Sequence, residues 1–134
     1  MFRQWGGTVA AILVASGLFG LAHAFTGHFG VAAFLGLTLN GIVWCICFRL
    51  SGSLALPIGM HAAWNFSQLY MFGLAMSGNA PGPRLIALEG SAPAIWSGGE
   101  YGPEAGIGGL IGMIVLMTLA LVYAKLNGRL RPGD

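Results

Sequence analysis

The sequence predicts an all-α fold, a polytopic bundle of about four membrane-spanning helices, and three observations carry that prediction. Of 134 residues 56% are hydrophobic and 7% charged, whereas an ordinary soluble domain carries about 25% charged residues, so a water-facing surface cannot be built from this chain. Four apolar stretches reach the length of about 17 to 25 residues that about 30 Å of hydrocarbon requires. Between them run short turns and one Gly/Pro-rich segment, with no internal repeat and no low-complexity tract, so residues 1–134 read as a single membrane domain.

Each span follows from its own stretch. The first lies near residues 7–25; it is longer than the core of a cleavable signal and has only Arg3 as a basic lead. The uncharged turn "TGHFG", with His28 as an interfacial residue, leads to a second span near 31–48. "RLSGS" then turns the chain into a third span near 54–76. Residues 77–104 form a Gly/Pro-rich loop holding Glu89, Glu100 and Glu104, and the fourth span lies near 105–124. Glu104 immediately precedes that span, where a carboxylate is favourable against the helix dipole. A structural role is therefore expected of it, and nothing in the sequence brings it to a histidine.

Charge orients the bundle. With four spans, Arg3, Arg49, Lys125, Arg129 and Arg131 fall on one side and Arg84 on the other, so the positive-inside bias puts both termini in the cytoplasm and 77–104 outside. Trp44 and Phe48 beside Arg49, and Tyr123 beside Lys125, stand where interfacial aromatic anchors belong. The net charge is +2 and the basic residues are scattered singly, which leaves no patch for nucleic acid; the expected partners are the lipid bilayer and a membrane-proximal peptide. Cys45 and Cys47 are two apart on a helix and point to different faces, so they make neither a short disulfide nor a metal pair.

Two of the three histidines, His23 and His61, sit inside the apolar stretches. A charge in the bilayer centre costs about 2.5 to 3.5 kcal/mol on insertion scales, so ionisable groups there face a protein interior and mark a site or a packing contact. Asn65 follows His61 by four residues, which puts both on one helical face about one turn apart. Phe19 and His23 share the same spacing, with the phenylalanine in a packing role. Asn40, mid-span in the second helix, is available to a site histidine or to a neighbouring backbone carbonyl. His23 is placed late in its span and His61 early in one that runs the same way. Straight helices would leave them at different depths, and tilt or a break near Gly17 and Gly20 would bring them together.

The pair F-x-x-x-H ("FGLAH", Phe19 to His23) and H-x-x-x-N ("HAAWN", His61 to Asn65), with "SGSLALPIGMHAAWNF" around the second and "GGEYGPEAG" before the last span, resembles the CAAX protease and bacteriocin-processing family. These are intramembrane endopeptidases that include the type II CAAX prenyl proteases. The resemblance implies that His23 acts with a glutamate of an E-E-x-x-x-R motif to activate a water. It implies that His61 and Asn65 steady the oxyanion of the tetrahedral intermediate, and that Phe19 supports. An older metalloprotease view of the family implies zinc on His23 and His61. H-E-x-x-H is absent here, and two histidines with an amide are a poor zinc set without an added carboxylate, so no cofactor is expected.

The chain contains no E-E-x-x-x-R. Were Arg3 the arginine of that motif, the glutamate and His23 would be about 24 residues apart, about 36 Å along one helix at about 1.5 Å per residue, too far to share a water. "FRQWGG" is therefore expected to be the loop after the motif helix, and the chain to be the C-terminal portion of a longer protease domain. Three functional classes follow: an intramembrane endopeptidase, incomplete as given, in a bacterial plasma membrane; a non-catalytic scaffold or bacteriocin self-immunity protein that retains the fold; and a bis-histidine haem protein, for which the H-x-x-x-N pairing gives no support.

Overall fold

The computed structural model describes residues 2–86, 88 and 92–128, with side chains from residue 6 onward. Five α-helices follow one another: α1 (Phe2–Ala22), α2 (Val31–Ser51), α3 (Ala55–Phe66), the single-turn α4 (Ala94–Ser97) and α5 (Ile107–Leu126). A π-helical turn, Ser67–Met71, extends α3, and 3₁₀ turns at Gly99–Tyr101 and Pro103–Ala105 lead into α5. Among the described residues there is no β-strand, only an isolated bridge between Met76 and Asn79.

The sequence makes α1 and α2 a close hairpin. Small residues face one another along the seam: a Cβ at Gly20 would lie 2.7 Å from Thr38 Oγ1, and one at Gly41 would lie 2.9 Å from Ser16 Cα. In hydrocarbon the hydrophobic effect does not drive helices together, and such close backbone approach supplies the van der Waals contact that does. Ser16, in the middle of α1, is consequently fully buried. The C-terminus of α2 is closed by Gly52 at φ 66°, whose N–H bonds Phe48 O, the left-handed cap that glycine takes without strain.

Helix α2 is the centre of the bundle, packed against α1, α3, α5 and the turn before α5. Toward one end Val43 and Cys47 of α2 meet Met60 of α3 and Met113 of α5, with Trp44, Leu56 and Trp64 around them. Toward the other, Ala33 and Leu37 pack on Tyr101, with Phe19, Phe29 and Ala105. The outer surface is apolar: Leu13, Val14, Leu18, Val115, Leu119 and Val122 are all more than half exposed or close to it, as a lipid-facing surface demands.

Helices α2 and α5 are each long and apolar enough to cross a membrane alone, and Gly6–Ala22 of α1 is a shorter apolar helix. The other two expected spans differ from their outlines. The first helix stops at Ala22, not at residue 25, so His23 lies just past its end. The stretch 54–76 is not one helix: the Ser67 hydroxyl donates to Ala63 O at 2.7 Å, a back-bond that perturbs helices, and the π turn begins at that residue. Leu74 N–H then closes on Gln68 O, and Gly73 at φ 60° turns the chain away. "FRQWGG", expected as a loop, is the start of α1. Within 77–104, residues 77–86 are irregular, while α4 packs on α5 and the 3₁₀ turn Pro103–Ala105 packs on α2 and α5. Glu89, Arg129, Arg131 and the side chain of Arg3, on which the charge argument drew, lie outside the described side chains.

Candidate active site

His23 follows the last residue of α1, and its ring folds back on that helix: Nδ1 lies 2.8 Å from Phe19 O. A carbonyl oxygen only accepts, so Nδ1 carries the hydrogen, and a neutral ring then holds its lone pair at Nε2. The backbone here is fixed as well, by the Thr26 hydroxyl donating to His23 O at 2.8 Å. Because Phe19 is one helical turn before His23, its ring lies beneath the imidazole, edge-on at a centroid distance of 4.9 Å. The same ring meets His61 of α3, again edge-on, at 5.8 Å. Phe19 therefore contacts the imidazoles of both spans.

His61 is held from the other side by Trp44 of α2, stacked at 5.5 Å with 18° between the planes. Along α3 and its π turn Pro57, Met60 and Gln68 are buried and His61, Trp64 and Asn65 half-buried, while Ala62, Ala63 and Phe66 are exposed. This face carries an unusual number of polar atoms without partners. Asn65 Oδ1, Trp64 Nε1 and both amide atoms of Gln68, with Trp44 Nε1 facing them from α2, are buried and have no partner among the described residues, where more than about 90% of buried polar groups find one. Beside the seam, between α2 and α3, an open apolar groove of about 260 Å³ is lined by Trp44, Phe48, Leu54, Pro57, Ile58 and His61. Asn40 is buried in α2, and among the described residues it bonds neither histidine.

Glu104 has a different setting from the helix-dipole role expected of it. It lies in the 3₁₀ turn ahead of α5, is only 6% exposed, and accepts at Oε2 from the Ser77 N–H (2.7 Å) and hydroxyl (3.0 Å). Ser77 takes the left-handed conformation, φ 48°, to make that clasp. Burial pushes the Glu104 carboxyl above its ordinary range; the two Ser77 bonds oppose this more weakly, as would His23 when protonated. Tyr101 is buried next to it, its phenol pushed up by burial, and its hydroxyl is 3.5 Å from Thr26 Oγ1. The turn after α1 and the segment before α5 are therefore joined by polar contacts around His23.

Phe19 brings His23 and His61 to one region; Asn65 stands one turn beyond His61 on the same helix, half-buried. Gln68 escaped the sequence reading; seven residues after His61 in an apolar run, its spacing was the signal. Tyr101 and Glu104 belong to the "GGEYGPEAG" motif, whose role the sequence alone did not give, and Ser77 ties it to the chain 27 residues earlier. Among the described residues no three His, Cys, Asp or Glu side chains lie close enough together to hold a metal ion, so the zinc set of His23 and His61 has no third ligand of these kinds.

A family model described as "Type II CAAX prenyl endopeptidase Rce1-like" matches residues 1–67, the stretch that includes Phe19, His23, His61 and Asn65. No curated protein and no solved structure matches the chain.

Proposed function

The chain belongs to the Rce1-like family of type II CAAX prenyl endopeptidases, and from that premise we propose that it carries the histidine and asparagine half of an intramembrane endopeptidase site. It is an all-helical membrane protein, and on the charge bias of its loops we assign both termini to the cytoplasm, in a bacterial plasma membrane.

The observation that supports this reading most is the Nδ1–Phe19 bond, which leaves Nε2 of a neutral His23 to accept a proton from water. In the proposed reaction the water oxygen attacks the peptide carbonyl as one of its protons passes to Nε2 of His23, while a carboxylate beside it accepts a hydrogen bond from the same water and orients it. His61 N–H and the Asn65 carboxamide donate to the oxyanion that forms. Collapse of the tetrahedral intermediate expels the amine, which takes the proton back. Donors aimed at a developing oxyanion in a low-dielectric site each lower the barrier by about 2.7 to 4 kcal/mol. The groove beside His61 is apolar and suits the hydrocarbon part of a membrane-bound peptide.

The sequence holds no E-E-x-x-x-R, and among the described residues no carboxylate hydrogen-bonds His23; Glu104 bonds Ser77 instead. That observation favours the second reading, a non-catalytic membrane scaffold or self-immunity protein. The deciding assay compares the chain as it stands with a form extended by an E-E-x-x-x-R helix, both in lipid nanodiscs with a farnesylated tetrapeptide, following release of the tripeptide product. Cleavage by the extended form, lost with His23→Ala, is the expected result. A folded extended form that cleaves nothing leaves the scaffold reading standing.

A further inference from the structure

The polar atoms without partners are not scattered through the bundle. Four of its side chains, Trp44, Trp64, Asn65 and Gln68, supply five of the six such atoms found among the described residues, the sixth being Thr38 Oγ1. Trp64, Asn65 and Gln68 share the inward face of α3 with His61, and Trp44 stacks on that histidine. Gln68 is the extreme member: 4% exposed, with neither its carbonyl oxygen nor its amide nitrogen bonded. In an apolar bundle each such atom costs free energy, and a well-packed apolar side chain of the same length would remove that cost.

The backbone shows where Gln68 stands. It is the second residue of the π turn, and its own carbonyl is occupied by Leu74 N–H at 2.8 Å. Its main chain is therefore satisfied while its side chain is not. Single π turns inside helices are frequent at functional sites. Because α1 and α3 run in the same direction, Gln68 lies on the side of His61 that leads toward the end of α1 and His23, about 10 Å along the helix at about 1.5 Å per residue.

A buried carboxamide whose two polar atoms have no partner among the described residues is complementary to one class of ligand above others, another amide, which would reach it by displacing the side chains that cover it. Its NH₂ donates to a peptide carbonyl while its oxygen accepts from the same ligand's N–H. We propose that Gln68 is a substrate-positioning residue that binds the peptide backbone of the substrate next to the bond presented to His61 and Asn65. The assignment rests on the endopeptidase reading above and adds to it the element that reads main chain. Recognition of an amide tolerates variation in side chains, so Gln68 fixes the register of an extended peptide without selecting its sequence. The indole N–H groups of Trp44 and Trp64 stand along the same seam as further donors.

The test needs binding alone. The full chain in lipid nanodiscs is titrated with an acetylated, S-farnesylated Cys-Val-Leu-Ser peptide carrying a dansyl group, read by energy transfer from tryptophan. It is also titrated with analogues in which one amide at a time is replaced by an ester. One ester analogue is expected to bind the unmodified protein about tenfold more weakly, the effect of about 1.4 kcal/mol of lost hydrogen bonding. Gln68→Met, similar in length but unable to pair, is expected to bind the all-amide peptide about tenfold more weakly and to lose that discrimination. Its melting temperature without peptide is expected to rise, because an unbonded buried amide has gone. Unchanged affinity and discrimination in Gln68→Met overturn the proposal, as does a lower melting temperature, which would mark Gln68 as structural. An unmodified protein that binds none of the peptides refutes the endopeptidase reading itself, an outcome distinct from binding that ignores Gln68.

Discussion

Around His23 the buried polar groups have partners, whereas along the inner face of α3 they do not. Nδ1 of His23 bonds Phe19 O, Thr26 holds the His23 carbonyl, and Glu104 is clasped twice by Ser77. One helix away Asn65, Gln68, Trp44 and Trp64 leave buried atoms unbonded. Satisfied groups stabilise a fold, and unsatisfied ones destabilise it unless something arrives to pair with them. On the reading proposed above, the difference separates the part of the region that fixes geometry from the part that would meet a ligand.

If that division is right, the largest effect belongs to the unsatisfied face and appears in turnover. In a cleaving, glutamate-extended form, His61→Ala and Asn65→Ala are each expected to lower kcat about 100- to 1,000-fold with little change in KM, as loss of an oxyanion donor does. Both should leave the melting temperature of the ligand-free protein nearly unaltered. Steady-state kinetics beside a thermal melt would break the comparison if the two effects were reversed.

Next comes the satisfied side. Glu104→Ala strands the buried Ser77 N–H and empties a packed position, for an expected loss of about 1 to 3 kcal/mol in stability, measured by denaturation in mild detergent. The carboxyl also gives that side a pH dependence. Its folded-state pKa is raised by burial, so the folded protein holds the proton more tightly than the unfolded chain. Stability is then greatest below the ordinary carboxylate range and falls as pH rises from that range to the raised value. Melting temperatures across acid pH should show this decline, and Glu104→Gln should flatten it. The smallest change is expected at the exposed His28–Glu100 contact, 3.1 Å long and open to water. Glu100→Gln should cost less than about 1 kcal/mol, as exposed ion pairs do.

Much of this arrangement was legible in the sequence because lipid leaves few choices. Apolar length gave the helical class, and four-residue spacings paired Phe19 with His23 and His61 with Asn65. What the sequence hid depended on contacts between distant segments. That Phe19 touches both histidines follows from how α1 and α3 converge, which periodicity does not encode. The end of the third helix at Met71 arises from the π turn and Gly73, local events inside a run that reads as uniformly apolar. Glu104 looked like a helix-terminal acid because Ser77, 27 residues earlier, gives no sign of pairing with it. Gln68 lies outside the H-x-x-x-N spacing that marks Asn65, and its burial follows from the π turn, which the sequence pattern does not show.

The central place of α2 also sets an order of events. It can enter the bilayer on its own hydrophobicity, as can α5, while α3 has only Ala55–Met71, interrupted by a π turn, and rests on α2. Insertion should therefore begin with the α1–α2 hairpin, and α3 should settle only against a surface already in place. The helix that carries His61, Asn65 and Gln68 is then the last to commit to the membrane and the first to leave it. Assembly of the site and completion of the bundle become a single step.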